Sequence, residues 1–196
     1  MSDQQLTARG AATRQRIIDV ATREFAEHGI AGARIERVVA AARTNKAQLY
    51  AYFGNKDGLF DAIFFGSLER IVNVVPIDAT DLADWAVRLY DEYLRNPDLI
   101  RLATWARLER RPTGHLVAET DRLDANKLRA ITEAQEAGLV RAGDPFDLMA
   151  MVIAMSMAWS PVSNVYAATA GEPAEVHERR REFLRDSVRR AVAPGP

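Results

Sequence analysis

Residues 33–53, ARIERVVAAARTNKAQLYAYF, constrain the fold of this chain more than any other stretch. Ile35, Val38, Val39 and Ala42 recur at steps of three and four, with Arg34, Glu36, Arg37 and Arg43 between them, the pattern of a short amphipathic helix. The polar run Arg43, Thr44, Asn45 interrupts it. Asn45 can accept from a first-turn amide of a new helix, and Gln48, three residues on, can reach back to complete a capping box. That second helix presents Lys46, Ala47 and Gln48 at its N-terminal end and Tyr50 and Tyr52 further along, while Leu49 and Phe53, four apart, turn inward. Two short helices across a tight polar turn make a helix-turn-helix.

The remainder of the chain punctuates itself as helices. Ile18, Ala21 and Phe25 mark a first helix over 14–28 that stops at Gly29. After Gly54, Asn55 can cap a longer helix from Lys56 to Val75, ended by Pro76. Its stripe of Phe60, Phe64, Leu68, Ile71 and Val75, with Leu59 and Ile63 beside it, suits a helix that packs on two sides and links head to body. Further helices are predicted over 82–95, from Asn96 and Pro97 to Arg110, from His115 to Ala137 ahead of Gly138, from Asp144 and Pro145 onward to about 170, and over 175–192. Residues 1–8 read as a disordered lead and 110–114, RRPTG, as a loop. No alternating β-branched pattern occurs, so the fold class is all-α, about nine helices. The domains expected are a helix-turn-helix head at 1–55, a link at 56–75, and a ligand-binding and dimerisation body at 76–196.

Residues 148–171 carry no charge, a length that could span a bilayer. Ser156, Ser160, Pro161, Ser163, Asn164 and Thr169 dilute it, and no basic cluster flanks it, which favours a buried helix over a membrane span. Such a helix is buried by its own core and by a partner subunit. With Phe183, Leu184, Val188 and Val192 on the last helix, it predicts a homodimer surface over about 145–170 and 175–192.

Charge and composition narrow the function. Residues 1–60 carry nine Lys or Arg against six Asp or Glu, whereas the whole chain is close to neutral, so a polyanion would be met at the head. The absence of cysteine removes disulfides and thiolate chemistry. The three histidines, at 28, 115 and 177, are scattered, and neither a glycine-rich phosphate loop nor a histidine-carboxylate metal motif occurs. No catalytic residue, metal or cofactor is therefore expected, and the opening MSDQQLTARG lacks a signal core, which points to the cytoplasm.

The first 65 residues resemble the DNA-binding domain of TetR-family transcriptional regulators. Phe25 and Gly29 close the first helix, Val38 and Ala42 precede the turn, and LYAYF at 49–53 leads into GNKDGLFDAI. The resemblance implies a homodimer through the last two helices, an effector pocket in the body and, by default, repression. The turn departs from the family pattern in three places: Arg43 replaces the usual glycine, Thr44 a valine, and Ala47 a glycine. A left-handed turn residue other than glycine costs roughly 1–2 kcal/mol, so Arg43 either bears that strain or reshapes the turn.

For DNA, Lys46 can donate to guanine O6 and N7, and Gln48 can pair with adenine N6 and N7. Tyr50, Tyr52 and Lys56 match family positions that hold phosphates, and Arg34 and Arg43 can join them, with Asn45 and Ala47 completing the face. Tyr52 can equally serve as core. For the effector, Trp85, Tyr90, Tyr93, Trp105, Met149, Met155 and Trp159 supply candidate walls, and Arg107, His115, Asn126 and Asn164 candidate orienting groups. Each aromatic can also be ordinary core, and Arg107 can be paired with Glu109. The reading is thus a cytoplasmic repressor that binds an inverted-repeat operator in double-stranded DNA as a homodimer and releases it on binding a small apolar or amphipathic effector. The alternative is a helical ligand- or protein-binding dimer that has lost specific DNA binding.

Overall fold

Capping side chains set the helix boundaries. Asn45 accepts from the Gln48 amide, Asn55 from the Gly58 amide, Asp81 from the Asp84 amide, and Asp144 from the amides of Phe146 and Asp147, each satisfying a donor that the first turn leaves without a partner. The computed structural model describes residues 8–110, 113–114 and 120–195. Among them nine helices and no strand occur: α1 Ala8–Gly32, α2 Ile35–Ala41, α3 Lys46–Phe53, α4 Lys56–Val74, α5 Leu82–Arg95, α6 Pro97–Glu109, α7 Thr120–Glu136, α8 Pro145–Ser156 and α9 Ala174–Val192. Residues 1–7 of the disordered lead expected over 1–8, part of the 110–114 loop and the start of the helix expected from His115 lie outside the described residues, while Ala8 already belongs to α1.

The chain divides into two units, 1–69 with 101–112, and 70–100 with 113–196. α4 and α6 each give residues to both. In the first unit, α1, α2, α3 and the first turns of α4 close on Ile17, Ala21, Phe25, Val38, Leu49, Phe53, Leu59 and Phe60, all buried. Phe25 meets Phe60 edge-on at 5.3 Å, the geometry aromatic quadrupoles favour. Ile17, and not the expected Ile18, is the buried residue of α1, because the inward stripe runs 17, 21, 25 at steps of four on a helix that already begins at Ala8. α1 is also not one helix: Gly29 adopts φ 74, ψ 179, ending the first run and leaving a single turn beyond it.

In the second unit α5 is the central helix, with Trp85, Ala86, Leu89 and Tyr90 buried against Met149 and Val152 of α8 and Leu184 and Val188 of α9. Its one buried carboxylate, Glu92, is met by Arg70 at 3.4 Å, Arg95 at 2.9 Å and the Asn96 amide at 2.7 Å, so its charge is compensated. That contact corrects one expectation. Asn96 turns back to Glu92 and does not cap α6, although Pro97 does open that helix.

A second correction concerns the uncharged run. The helix expected over 145–170 ends at Ser156, and 157–173 is irregular chain held by short turns such as Ser160 N to Met157 O and Ser163 N to Ser160 O. Ser156 bonds back to the Ile153 carbonyl, and Pro161 has no amide to continue a ladder, so the helix has no route past 156. Among the described residues no helix is long and apolar enough to cross a membrane.

Candidate nucleic-acid interface

The interface begins at the turn. α2 ends with Arg43 N donating to Ala40 O and Thr44 N to Val39 O, the paired bonds of a Schellman motif. The residue between them must be left-handed, and Arg43 is, at φ 51, the one non-glycine residue with positive φ among those described. The turn thus keeps the geometry that glycine would give it, and Arg43 bears the strain. In exchange a guanidinium stands exposed beside the start of α3.

α3 projects from that turn with Leu49 and Phe53 buried and Lys46, Ala47, Gln48 and Tyr50 exposed. Asn45 caps it as expected, but the capping box is half made: the Gln48 carboxamide oxygen accepts from the Thr44 hydroxyl at 2.6 Å and does not reach back to the Asn45 amide. Lys46 Nζ lies 2.5 Å from Glu36 Oε1 on α2. The Lys46 bond and charge hold the Glu36 carboxyl below its ordinary value, and the same bond raises the Lys46 ammonium. Both groups are fully exposed, so solvent and salt screen the pair and a phosphate or base edge can displace it.

The remaining candidates divide. Arg34 stays exposed, its backbone amide bonded to Glu24 at 2.8 Å. Tyr52 is half-buried and its hydroxyl donates to the Gly10 carbonyl of α1 at 3.2 Å, while Lys56 Nζ donates to Ala31 O at 2.9 Å. Both side chains are engaged in holding α3 and α4 on α1. Arg37 was not singled out from the sequence. It forks onto Glu24 at 2.5 and 2.8 Å and carries the α1–α2 corner. Burial works to raise the Glu24 carboxyl, but the Arg37 bond, the Arg34 amide and the Arg37 charge outweigh it and hold the group below its ordinary value.

Sequence reading also missed the contribution of α6. The break at Gly29 leaves the Ala26 carbonyl and the Ile30 and Ala31 amides without helical partners. Arg101 Nε and Trp105 Nε1 donate to Ala26 O at 2.9 and 3.2 Å, and the Glu109 carboxylate accepts from Ile30 N and Ala31 N, both at 2.8 Å. These three side chains sit at steps of four on α6. Gly29 has no alternative, since a Cβ there would stand 2.7 Å from Glu109 and 3.0 Å from the Trp105 ring. One residue on, Arg110 bonds Asp61 and, at 2.6 Å, Asp57, with its guanidinium 4.6 Å over the Phe60 ring.

The effector candidates scatter. Tyr90, Tyr93 and Trp159 meet around one gap, and Trp85 and Met149 are buried in the core of the second unit with Met155 at its edge. Trp105 and Arg107 belong to the first unit, where Trp105 bonds the Ala26 carbonyl of α1. Asn126 accepts from Arg129, Asn164 is exposed, and His115 lies outside the described residues. A groove of about 720 Å³ opens between residues 76–88 and α7, with Asp78, Thr80, Asp84, Arg88 and Glu133 on its walls. None of the expected walls lines it.

Comparison with known proteins agrees with this anatomy. Residues 17–63 match the family described as bacterial regulatory proteins, tetR family, and residues 81–190 match the tetracyclin repressor-like C-terminal domain. The chain is 40% identical over 148 residues to the HTH-type transcriptional repressor SCO4008 of Streptomyces coelicolor, covering 74% of this chain and 77% of that protein. The solved structure of the transcriptional regulator SCO4942 from the same organism superimposes with a TM-score of 0.78 at 35% identity, covering 92% of this chain and 98% of that one. The fold is shared as well with AibR, solved in complex with isovaleryl coenzyme A and operator DNA, at a TM-score of 0.66, 19% identity and coverage of 89% and 97%. By sequence and by fold, this chain belongs to the TetR family of DNA-binding transcriptional regulators.

Proposed function

We propose that the chain is a cytoplasmic, homodimeric repressor that reads an inverted-repeat operator with Lys46 and Gln48 and lets go of it when a small apolar or amphipathic effector binds the second unit. The observation that carries the reading is the exposed N-terminal end of α3, where Lys46, Ala47, Gln48 and Tyr50 stand free of the core beside Arg43. Lys46 and Gln48 serve as base readers once they exchange Glu36 and Thr44 for base edges. Arg34, Arg43 and Tyr50 serve as phosphate contacts, with Tyr52 and Lys56 bracing the helix from behind. Residues 1–55 then act as the reading head, 56–75 as the link, and 76–196 as the sensing and dimerising body.

Dimerisation is supported by exposed apolar side chains on the last two helices and the segment that joins them: Phe146 and Met151 on α8, Phe183 on α9, and Val165 and Tyr166 between them. Two such heads with recognition helices about 34 Å apart match successive major-groove faces of one duplex. Release follows from differential binding: an effector that prefers a dimer with another head spacing draws the population toward it. α4 and α6, which give residues to both units, are the elements through which that preference acts. The effector class draws support from AibR, which was solved with an acyl coenzyme A thioester, and the repressor role from the HTH-type repressor SCO4008.

Selection of fragments from the chain's own genome, followed by footprinting, tests the proposal. The expected outcome is a protected inverted repeat with half-sites one helical turn apart. Recovery of fragments without a common palindrome contradicts it.

A further inference from the structure

Among the described residues of the second unit, three buried side-chain polar atoms have no hydrogen-bond partner, Ser160 Oγ, His177 Nε2 and Arg180 Nη1, all on residues next to Trp159 or its neighbour Tyr90. Ser160 follows that tryptophan in the chain. The Arg180 guanidinium lies 5.8 Å over its ring, and Tyr90 meets it edge-on at 5.9 Å while bonding His177 Nδ1 at 2.8 Å. Ser160, His177 and Arg180 are 5%, 6% and 9% exposed. Buried polar groups in folded proteins are almost always paired, so three on residues bordering Tyr90 and Trp159 require an explanation.

All three can present hydrogen. Burial pushes the Tyr90 phenol above its ordinary value, against the opposing pull of Arg180, so it keeps its proton. When the phenol donates to Nδ1, the neutral imidazole carries its proton on Nε2. Arg180 Nη2 lies 3.0 Å from Glu172, whose carboxylate also accepts from the Thr169 amide, and the guanidinium also meets the Tyr90 hydroxyl and, at 5.1 Å, the Tyr166 ring, while Nη1 keeps no hydrogen-bond partner. The neighbouring Arg181 is held by Asp91 and Glu178. The gap that Ser160 lines with Tyr93, Leu94, Trp159 and Pro161 is closed in this conformation and has no room for a water-sized molecule, so a resident water does not account for the Ser160 hydroxyl. Buried hydrogen-bonding atoms without partners, one of them on a cation, with apolar rings beside them describe a seat for an oxyanion.

We propose that Arg180, His177 and Ser160 take the carboxylate of an organic acid whose apolar body displaces the Trp159 ring and lies along Tyr93 and Leu94. The proposal rests on the second unit being the effector-binding part of a repressor, and it names the chemistry of that effector. The irregular chain at 157–173 carries Trp159 and Ser160, so seating the acid reshapes the segment next to the exposed Val165 and Tyr166.

Calorimetric titration of the full chain with sodium isobutyrate, hexanoate and benzoate tests this, with the corresponding amides and an equal ionic strength of sodium chloride as controls. Saturable binding of at least one acid, with no binding of its amide, is expected. Ser160→Ala should weaken that binding roughly threefold to tenfold, and Arg180→Lys, which keeps the charge and the Glu172 pair, roughly 10- to 100-fold. The proposal is overturned if every acid behaves as chloride does, or if both variants bind as the parent does. Operator binding measured on the same preparations separates the two readings. DNA binding without acid binding sinks the site alone, whereas acid binding in a chain that ignores DNA sinks the repressor.

Discussion

Lys46 is the side chain on which the competition between protein and DNA turns. Its bond to Glu36 is exposed and screened, so it presets the ammonium near the start of α3 without fixing it there. When Lys46 reaches a base, Glu36 is left near phosphates with no partner and repels them. Glu36→Gln should therefore raise operator affinity, roughly twofold to tenfold at low salt, and flatten as salt rises; equal or weaker binding in a fluorescence titration contradicts this. Arg43 carries the opposite bargain. It accepts a left-handed backbone to place a cation at the turn, so Arg43→Gly should stabilise the head by up to about 1 kcal/mol, the strain relieved less the added chain entropy, while weakening DNA binding. A thermal midpoint that falls, or an affinity that does not, would count against a strained phosphate contact.

Among elements, α6 shows most clearly what a sequence conceals. The local features of α3 were legible because Asn45, Leu49 and Phe53 act within one or two turns of each other. The Glu109 bonds to Ile30 and Ala31 join residues almost eighty positions apart, and no periodicity announces them. For the same reason Trp105 read as a pocket wall. The uncharged run misled in another way, since it continues to Gly171 while the helix ends at Ser156, ahead of Pro161. Replacing Glu109 by Gln leaves one oxygen for two amides, and should lower stability by roughly 0.5–1.5 kcal/mol and disturb operator affinity, read together by thermal melting and anisotropy. The α1–α2 corner adds a pH term. Glu24 titrates below its usual 4.5 in the folded chain, so its contribution is full above that value and is lost as pH falls through the lower native one. The stability gap between the parent and Glu24→Gln should narrow as pH drops from about 5 to 3, and a gap that stays constant contradicts the assignment.

At the scale of the whole molecule, the all-helical class and the helix-turn-helix were readable because caps and helical stripes are local. The composition of the second unit's interior was not, because its aromatics fill core and line gaps with the same residues: Trp85 is packed, whereas Trp159 borders the donor cluster. Charge adds a global constraint, since a mildly basic head on a nearly neutral chain gains much of its DNA affinity from counterion release. The most direct measurement is equilibrium binding to the genomically selected operator across a salt series, with a scrambled duplex alongside. The expected result is a straight line of log affinity against log salt, falling by about 0.9 for each phosphate neutralised, with Lys46→Ala losing preference for the operator and Arg43→Ala reducing the slope by about 1. Binding that is tight but indifferent to salt, or equal on operator and scrambled DNA, would contradict the account.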